Sequence, residues 1–289
     1  MTDKRLRAIC HDKGLTASVA VVTGSAREGQ KMHGLHDMSA MLLGQAMAAG
    51  ALLVSLQKDA SRINLQLECD GPLRGMFVDA GADGSIRGYV KNPYLDVEGN
   101  RGPMRWRPAL GNKGFFSVLK DVGDGDFYRS SIELAAMDPA LDLERYFTTS
   151  EQVQSKVALA VERSGEEPLG VVAGVLIQAL PHGDLTELQR IGASLTAELE
   201  RHVKGKLGVE AEALLSSMLP GFEPMSQTPV AWRCTCSKDR VLVALSAMGK
   251  AELQDILTTQ GEAAATCQFC SRRHVASADD LKALLNGFS

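Results

Sequence analysis

Four of the six cysteines form two close pairs near the C-terminus, and this pattern constrains the chain more than any other feature. Cys234 and Cys236 make a C-x-C pair, Cys267 and Cys270 make a C-x-x-C pair, and 30 residues separate the pairs. Two thiol pairs around such an insert are typical of a tetrahedral zinc site, because each pair supplies two ligands and the insert folds back. We therefore predict that these four thiolates bind one zinc ion.

Most four-cysteine sites are structural staples, but the surroundings of this one favour redox chemistry. Four basic residues flank the ligands in sequence and are expected to favour the thiolate form, which is the form that oxidants attack. They are Arg233, Lys238, Arg272 and Arg273. A disulfide within the C-x-C pair is feasible only with strain, and a strained disulfide is easily reduced again.

The cysteine-bearing tail, residues 232–289, is only 58 residues long. A segment of that size is difficult to stabilise by core burial alone. If zinc binding supplies on the order of 10 kcal/mol of its folding free energy, losing zinc unfolds it. His274 follows Cys270 by four residues and is an alternative ligand, although four cysteines already complete a tetrahedral site.

Length and charge bound the remaining interpretation. A chain of 289 residues suggests about two folding units, and a net charge of −4 disfavours a polybasic nucleic-acid or membrane-surface protein. Residues 40–56 carry no charge, but this stretch is shorter than a membrane span of about 20 residues and favours a buried helix. The first residues lack the apolar stretch of a secretory signal, so a cytoplasmic protein is expected.

Residues 1–180 are predicted to form one α+β core domain in which β-sheets pack around the buried helix, whose N-cap is Asp37 or Ser39. Alternating apolar positions indicate a short strand at residues 16–23 and a β-meander between residues 63 and 90 with a turn at Asp83-Gly84. A second strand pair is predicted at residues 114–119 and 127–134, joined by a turn at Asp124-Gly125.

Residues 181–231 are predicted to form a helical linker of marginal stability. Apolar side chains recur there at steps of three and four residues, as on one face of a helix. They are Leu185, Leu188, Ile191, Leu195, Leu199, Val203 and Leu207. Gly192, Gly205 and Gly208 each weaken a helix by roughly 1 kcal/mol relative to alanine. We expect this element to dock on the core domain, with Leu188, Ile191, Leu195 and Leu199 as its latch.

Several segments, taken in order, resemble the heat shock protein 33 family of redox-regulated chaperones. In the tail they are Trp232-Arg-Cys-Thr-Cys-Ser-Lys-Asp-Arg240, Glu252-Leu-Gln-Asp-Ile-Leu257 and Cys267-Gln-Phe-Cys270. In the core they are Asp70-Gly-Pro-Leu73, Arg87-Gly-Tyr-Val-Lys-Asn-Pro93, Tyr146-Phe-Thr-Thr-Ser-Glu-Gln152 and Gly174-Val-Leu-Ile-Gln-Ala-Leu-Pro181. The resemblance covers essentially the whole chain, with two departures. His274 occupies a position that is usually aromatic, and the segment around residues 23–32 is shortened.

The resemblance implies a holdase and no enzymatic activity. Such a chaperone is inactive while reduced and bound to one zinc ion, and it binds unfolding client proteins after oxidation, often as a homodimer. It also implies disulfides within each pair, Cys234 with Cys236 and Cys267 with Cys270, and release of zinc. No nucleic-acid or membrane partner is expected.

Two other functions fit parts of the sequence. The tail is a candidate zinc-ribbon binding module without redox switching, but its seven basic and six acidic side chains are a poor footprint for phosphate contacts. Cys267 and Cys270 are also a candidate dithiol oxidoreductase motif, but the βαβ pattern of a thioredoxin-like fold is missing around them.

Overall fold

This computed structural model describes residues 2–57, 61–96, 106–121, 126–165 and 167–287. The chain forms two compact units, Met1–Arg233 and Cys234–Ser289. The strands are β1 (Lys4–Cys10), β2 (Leu15–Val21), β3 (Arg62–Cys69), β4 (Gly75–Gly81), β5 (Ser85–Val90), β6 (Gly114–Asp121), β7 (Phe127–Glu133), β8 (Ser155–Ser164), β9 (Glu167–Ala179), β10 (Glu223–Pro229), β11 (Ala231–Trp232), β12 (Ala263–Thr266) and β13 (Arg273–Ala276). The α-helices are α1 (Thr23–His33), α2 (Asp37–Ser55), α3 (Arg107–Leu110), α4 (Pro139–Tyr146), α5 (Leu185–Gly192), α6 (Leu195–Val203), α7 (Ala211–Met218), α8 (Lys238–Ser246), α9 (Lys250–Thr259) and α10 (Ala278–Asn286).

Two sheets organise the first unit. Sheet A has the order β10-β1-β2-β9-β8 and is antiparallel throughout. Sheet B has the order β11-β5-β4-β3-β6-β7, and its β3–β4–β5 portion is the predicted meander. Gly84 lies in the β4–β5 turn with φ of +82°, a conformation that glycine adopts without strain. The pairing of β6 with β7 is also confirmed, whereas the predicted turn at Asp124-Gly125 lies outside the described residues.

Helix α2 lies between the two sheets, which confirms the predicted α+β core built around a buried helix. Every residue from Met38 to Ser55 is buried. A β-carbon on Gly44 would lie 3.2 Å from a Val172 methyl group of sheet A, and one on Gly50 would lie 2.8 Å from a Val78 methyl group of sheet B. The glycine and alanine content of α2 therefore lets both sheets approach its backbone closely.

The start of α2 differs from the prediction. Its N-cap is His36, which makes no side-chain capping bond, and neither Asp37 nor Ser39 takes that role. The Ser39 hydroxyl instead donates a hydrogen bond to the carbonyl oxygen of Asn92. Helix α2 is long and apolar enough to cross a membrane, but it is completely buried inside the unit, as the core helix of a soluble domain is.

The segment predicted as a linker packs on the other face of sheet A. Helices α5, α6 and α7 bury apolar side chains against residues of β1, β2, β8 and β9 on the face of sheet A that does not contact α2. The predicted continuous stripe is divided into two helices, α5 and α6, and α5 ends at Gly192, where a β-carbon would lie 2.4 Å from the Lys156 side chain. The two ends of the stripe, Leu185 and Leu207, are exposed and do not belong to the buried face.

The end of the predicted linker, residues 181–231, forms a β-strand and not a helix. Pro224 and Pro229 lie in β10, which pairs only with β1 among the described strands and so forms an edge, the position at which a sheet tolerates proline. Trp232, which the sequence placed in the tail, belongs to the first unit, because β11 pairs in parallel with β5. The boundary between the two units therefore falls after Arg233 rather than before Trp232.

The second unit has a small core. Five side chains in it are buried: Leu245, Leu253, Ala263, Ala276 and Leu281. They come from α8, α9, α10 and the β12–β13 hairpin, and half-buried leucine, isoleucine and valine side chains surround them. So few fully buried groups supply little hydrophobic stabilisation for a unit of this length.

Candidate metal and redox centre

Two separate segments of the second unit supply the four cysteines. Cys234 and Cys236 precede α8, whose N-cap Ser237 accepts a hydrogen bond from the Arg240 backbone N–H. Cys267 and Cys270 lie in the turn between β12 and β13. That turn is held by the Ser271 N–H, which donates to the Cys267 carbonyl oxygen at 2.8 Å, and by the Cys267 N–H, which donates to the Arg272 carbonyl oxygen at 2.9 Å.

The four sulfur atoms converge. All of them lie within 4.8 Å of one another, and all four side chains are half-buried. The sulfurs of Cys234 and Cys267 are 3.6 Å apart, and those of Cys236 and Cys270 are 3.4 Å apart. A tetrahedral site with metal–sulfur bonds of about 2.3 Å places its sulfurs about 3.8 Å apart. The cluster therefore has the donor type, number and spacing that a metal ion requires.

Burial opposes ionisation of two of these thiols when no cation is present. Burial, followed by the neighbouring Cys270 and Cys234 thiols, raises the pKa of Cys236 to about 12. Burial also raises the pKa of Cys270. A divalent cation reverses this balance, because a coordinated thiol loses its proton. A bound cation would therefore favour the thiolate forms of Cys236 and Cys270.

Two of the four basic residues that flank the cysteines in sequence form ion pairs with carboxylates. Lys238 pairs with Asp280 at 2.6 Å, and Arg273 pairs with Glu262 at 3.1 Å. The charges of Lys238 and Arg273 are therefore directed toward carboxylates within the second unit. The Lys238–Asp280 pair links the first residue of α8 to the capping box of α10.

His274 contacts the four-cysteine cluster. It lies on β13, and its Nε2 atom is 3.1 Å from the Cys236 sulfur. The sequence named His274 only as an alternative ligand; the structure places it in contact with one cysteine of the four. A groove of about 310 Å³ opens beside this contact, and its lining includes Cys236, Cys267 and His274 together with Val241, Leu245 and Met248.

The predicted latch residues lie in the first unit. Leu188 and Leu199 are fully buried, Leu195 is 3% exposed, and Ile191 is half-buried. All four contribute to one apolar cluster with sheet A. Cys69 lies on β3 and is half-buried, and burial raises the pKa of its thiol, which fits a packing role.

Comparison with known proteins decides the family. A model of the family described as Hsp33 protein matches residues 3–277. The chain belongs to the Hsp33 family. A 33 kDa chaperonin from a Cyanothece species is 37% identical over 296 residues, which cover 99% of this chain and 97% of that protein. A 33 kDa chaperonin from Trichormus variabilis is also 37% identical, over 99% of this chain and 96% of its own.

A solved structure shows the same fold. The crystal structure of the 33 kDa chaperonin, a heat shock protein 33 homologue, from Thermotoga maritima matches with a TM-score of 0.81. The match covers 99% of each chain at 22% identity. Chaperonin denotes a non-enzymatic function, so these relatives agree with the prediction that this Hsp33-family chain is a chaperone and not an enzyme.

Proposed function

We propose that this chain is a redox-regulated holdase, inactive when reduced and zinc-bound and active after oxidation of its cysteine pairs. The observation that carries the proposal is the convergence of Cys234, Cys236, Cys267 and Cys270 within 4.8 Å. Four thiolates favour zinc over harder cations such as magnesium or calcium, which prefer oxygen ligands. When bound, zinc would offset half of the charge of the four thiolates and tie the N-terminus of α8 to the β12–β13 turn.

The oxidation step involves the cysteines alone and an oxidant such as hypochlorous acid. Two thiolates and one hypochlorous acid molecule yield one disulfide, one chloride ion and one hydroxide ion. The two thiolates lose two electrons, and the chlorine atom gains them. Following the pairing that the family resemblance implies, Cys234 joins Cys236 and Cys267 joins Cys270. A disulfide sulfur is a far weaker ligand than a thiolate, so both pairs give up the metal.

Loss of the metal removes the main support of the second unit, because five buried apolar side chains form its core among residues 234–287. The linker is the next element to detach. The polar ties of helices α5–α7 to the rest of the first unit include three exposed ones: Lys13 with Asp184 at 3.2 Å, Lys4 with Glu212, and the Gly205 N–H with Glu162 at 2.8 Å. Exposed pairs of this kind contribute about 0–1 kcal/mol each, so the buried latch leucines hold the linker in place.

Detachment of α5–α7 uncovers the apolar face of sheet A, on which Leu6, Val19, Val171, Val175 and Ile177 lie. An uncovered apolar surface of this kind binds the apolar segments of unfolding client proteins and also favours association of two copies. The proposal therefore includes clients as partners, a homodimer in the oxidised state and a cytoplasmic location. Nucleic acids and membranes are not among the proposed partners.

Light scattering from a thermally unfolding client tests the proposal. The chain is added either reduced and zinc-loaded or oxidised with hypochlorous acid, and zinc in the second sample is measured with a chromogenic chelator. Cys69→Ser serves as the control, since Cys69 is outside the cluster. Suppression of aggregation by the oxidised form alone supports the switch. Equal suppression by both forms, or none by the zinc-free oxidised form, refutes it.

A further inference from the structure

We propose that His274 is a positioning residue of the four-cysteine centre, which donates an Nε2–H hydrogen bond to the Cys236 sulfur and retards metal release under oxidant. The inference rests on the proposed zinc-binding function and adds a residue to it. It begins from the 3.1 Å separation between the imidazole Nε2 and the Cys236 sulfur.

The position of His274 links the two segments that supply ligands. His274 lies on β13 and pairs with Ala265 of β12. It follows Ser271, which closes the turn that carries Cys267 and Cys270, by three residues. Its partner Cys236 belongs to the other pair, ahead of α8. The contact therefore joins the hairpin directly to the C-x-C pair, independently of any metal bond.

The chemistry of the contact fixes which atom holds the proton. A cysteine that binds a metal is a thiolate and has no proton to give, so a nitrogen this close is favourable only as a donor. Four sulfurs already complete a tetrahedral coordination sphere, which leaves the imidazole outside it. We therefore assign the Nε2–H tautomer to His274 when the centre holds its metal.

A donated hydrogen bond alters the sulfur in two ways. It draws electron density from the thiolate and makes it a weaker nucleophile toward an oxidant, and it holds the side chain in the orientation that binds metal. Hydrogen bonds to metal ligands of this kind typically account for about 10–100-fold in metal affinity. His274 also lines the groove beside Cys236 and Cys267, so it stands next to an open approach to both sulfurs.

The test compares two variants and a control in the full-length chain. His274→Phe removes the donor and keeps a ring, whereas His274→Gln keeps an N–H donor near the position of Nε2. Arg273→Gln is the matched control on the same strand, because Arg273 is exposed and contacts Glu262 rather than a cysteine. Zinc affinity is measured by chelator competition, and zinc release is followed at a fixed hydrogen peroxide concentration.

We expect His274→Phe to lower zinc affinity by about 10–100-fold and to release zinc correspondingly faster. His274→Gln should recover most of the loss, and Arg273→Gln should match the wild type. In the cobalt-substituted protein, the sulfur-to-cobalt charge-transfer band should move to lower energy in His274→Phe, because the sulfur regains electron density. Packing alone would not move that band.

Three results would overturn the inference. One is a His274→Phe variant with wild-type affinity and release rate, and another is a His274→Gln variant as impaired as His274→Phe. The third is a wild-type cobalt spectrum with three thiolates and one nitrogen, since His274 would then be a ligand. A wild-type chain that releases zinc normally yet never protects a client refutes the holdase proposal. The role of His274 is then still tested by the ratio of zinc affinities and release rates between the variants and the wild type. A wild-type chain that binds no zinc refutes both.

Discussion

Leu199 offers the sharpest test of the latch. It is completely buried in α6, within the cluster that includes Ala158 and Ala160 of β8. Replacing a buried leucine by alanine costs about 2–5 kcal/mol, through lost transfer free energy and the cavity that remains. If α6 detaches as part of the activation step, Leu199→Ala shifts that equilibrium toward the detached state by a factor of about 30 to several thousand.

The reduced, zinc-loaded Leu199→Ala chain is therefore expected to suppress client aggregation partly without oxidant. Hydrogen exchange measures the same change directly, as faster exchange of the α6 amides than in the wild type. Leu207→Ala is the matched control, because Leu207 is 69% exposed and its truncation removes little buried area. If the α6 amides of Leu199→Ala exchange faster while the reduced protein stays inactive, detachment of α6 is not the step that activates the chaperone.

Three further outcomes are expected. Leu195→Asp, which places a charge at a site only 3% exposed, should activate the chaperone before all four thiols are oxidised; an unchanged dependence of activity on oxidant would contradict this. Removal of zinc from the reduced chain by a chelator should abolish the far-ultraviolet circular dichroism signal of α8–α10, while the first unit keeps its cooperative melting transition. An unchanged spectrum would mean that the second unit folds without metal. Although burial opposes its ionisation, hydrogen bonds from Lys120 and Tyr146 hold the pKa of Glu151 below its ordinary value. The Glu151 carboxylate therefore stabilises the folded state at pH values above the unfolded pKa of about 4.3. This stabilisation is lost as the pH falls through the lower pKa of the folded state. The melting-temperature deficit of Glu151→Gln should therefore be larger at pH 6 than at pH 3, and a deficit independent of pH would rule out the charge as its cause.

Sequence periodicity was sufficient for the elements with one apolar face. Strand β3 alternates, with Ile63, Leu65 and Leu67 buried and the residues between them half-buried, because one face of sheet B packs on α2 while the other is less covered. Strand β9 does not alternate, since α2 covers one face of sheet A and the linker helices cover the other. A strand buried on both faces is a continuous apolar run, which periodicity does not distinguish from a short buried helix.

Strand β1 was missed for a different reason. Its sequence is rich in lysine and arginine, yet Arg5 is only 6% exposed and donates to the Gly81 carbonyl oxygen at 3.1 Å. A buried arginine that is satisfied by carbonyl groups of another sheet leaves no local signal in the sequence. Strand β10 was hidden by its prolines, which are compatible with an edge strand.

The four-cysteine cluster was predictable because the spacing of the thiols encodes the site. The His274–Cys236 contact was not, because it depends on the register of the β12–β13 pairing and on where α8 begins. Likewise, Lys238 and Arg273 were expected to act on the thiols because they are near them in sequence, but they form ion pairs with Asp280 and Glu262.

The strands of sheet A that α5–α7 cover are synthesised before those helices. The last internal strand of sheet A, β9, ends at Ala179, whereas the last covering helix, α7, ends at Met218. At about 5–20 residues per second, synthesis of the intervening segment takes about 2–8 s. During that interval the nascent chain contains strands β1, β2, β8 and β9, but the helices that cover their apolar face are not yet fully synthesised. We predict that ribosome-bound chains stalled after β9 bind an unfolded client without any oxidant and that chains stalled after the second unit do not. The uncovered sheet of the nascent chain would then match the form that oxidation is proposed to produce in the finished protein.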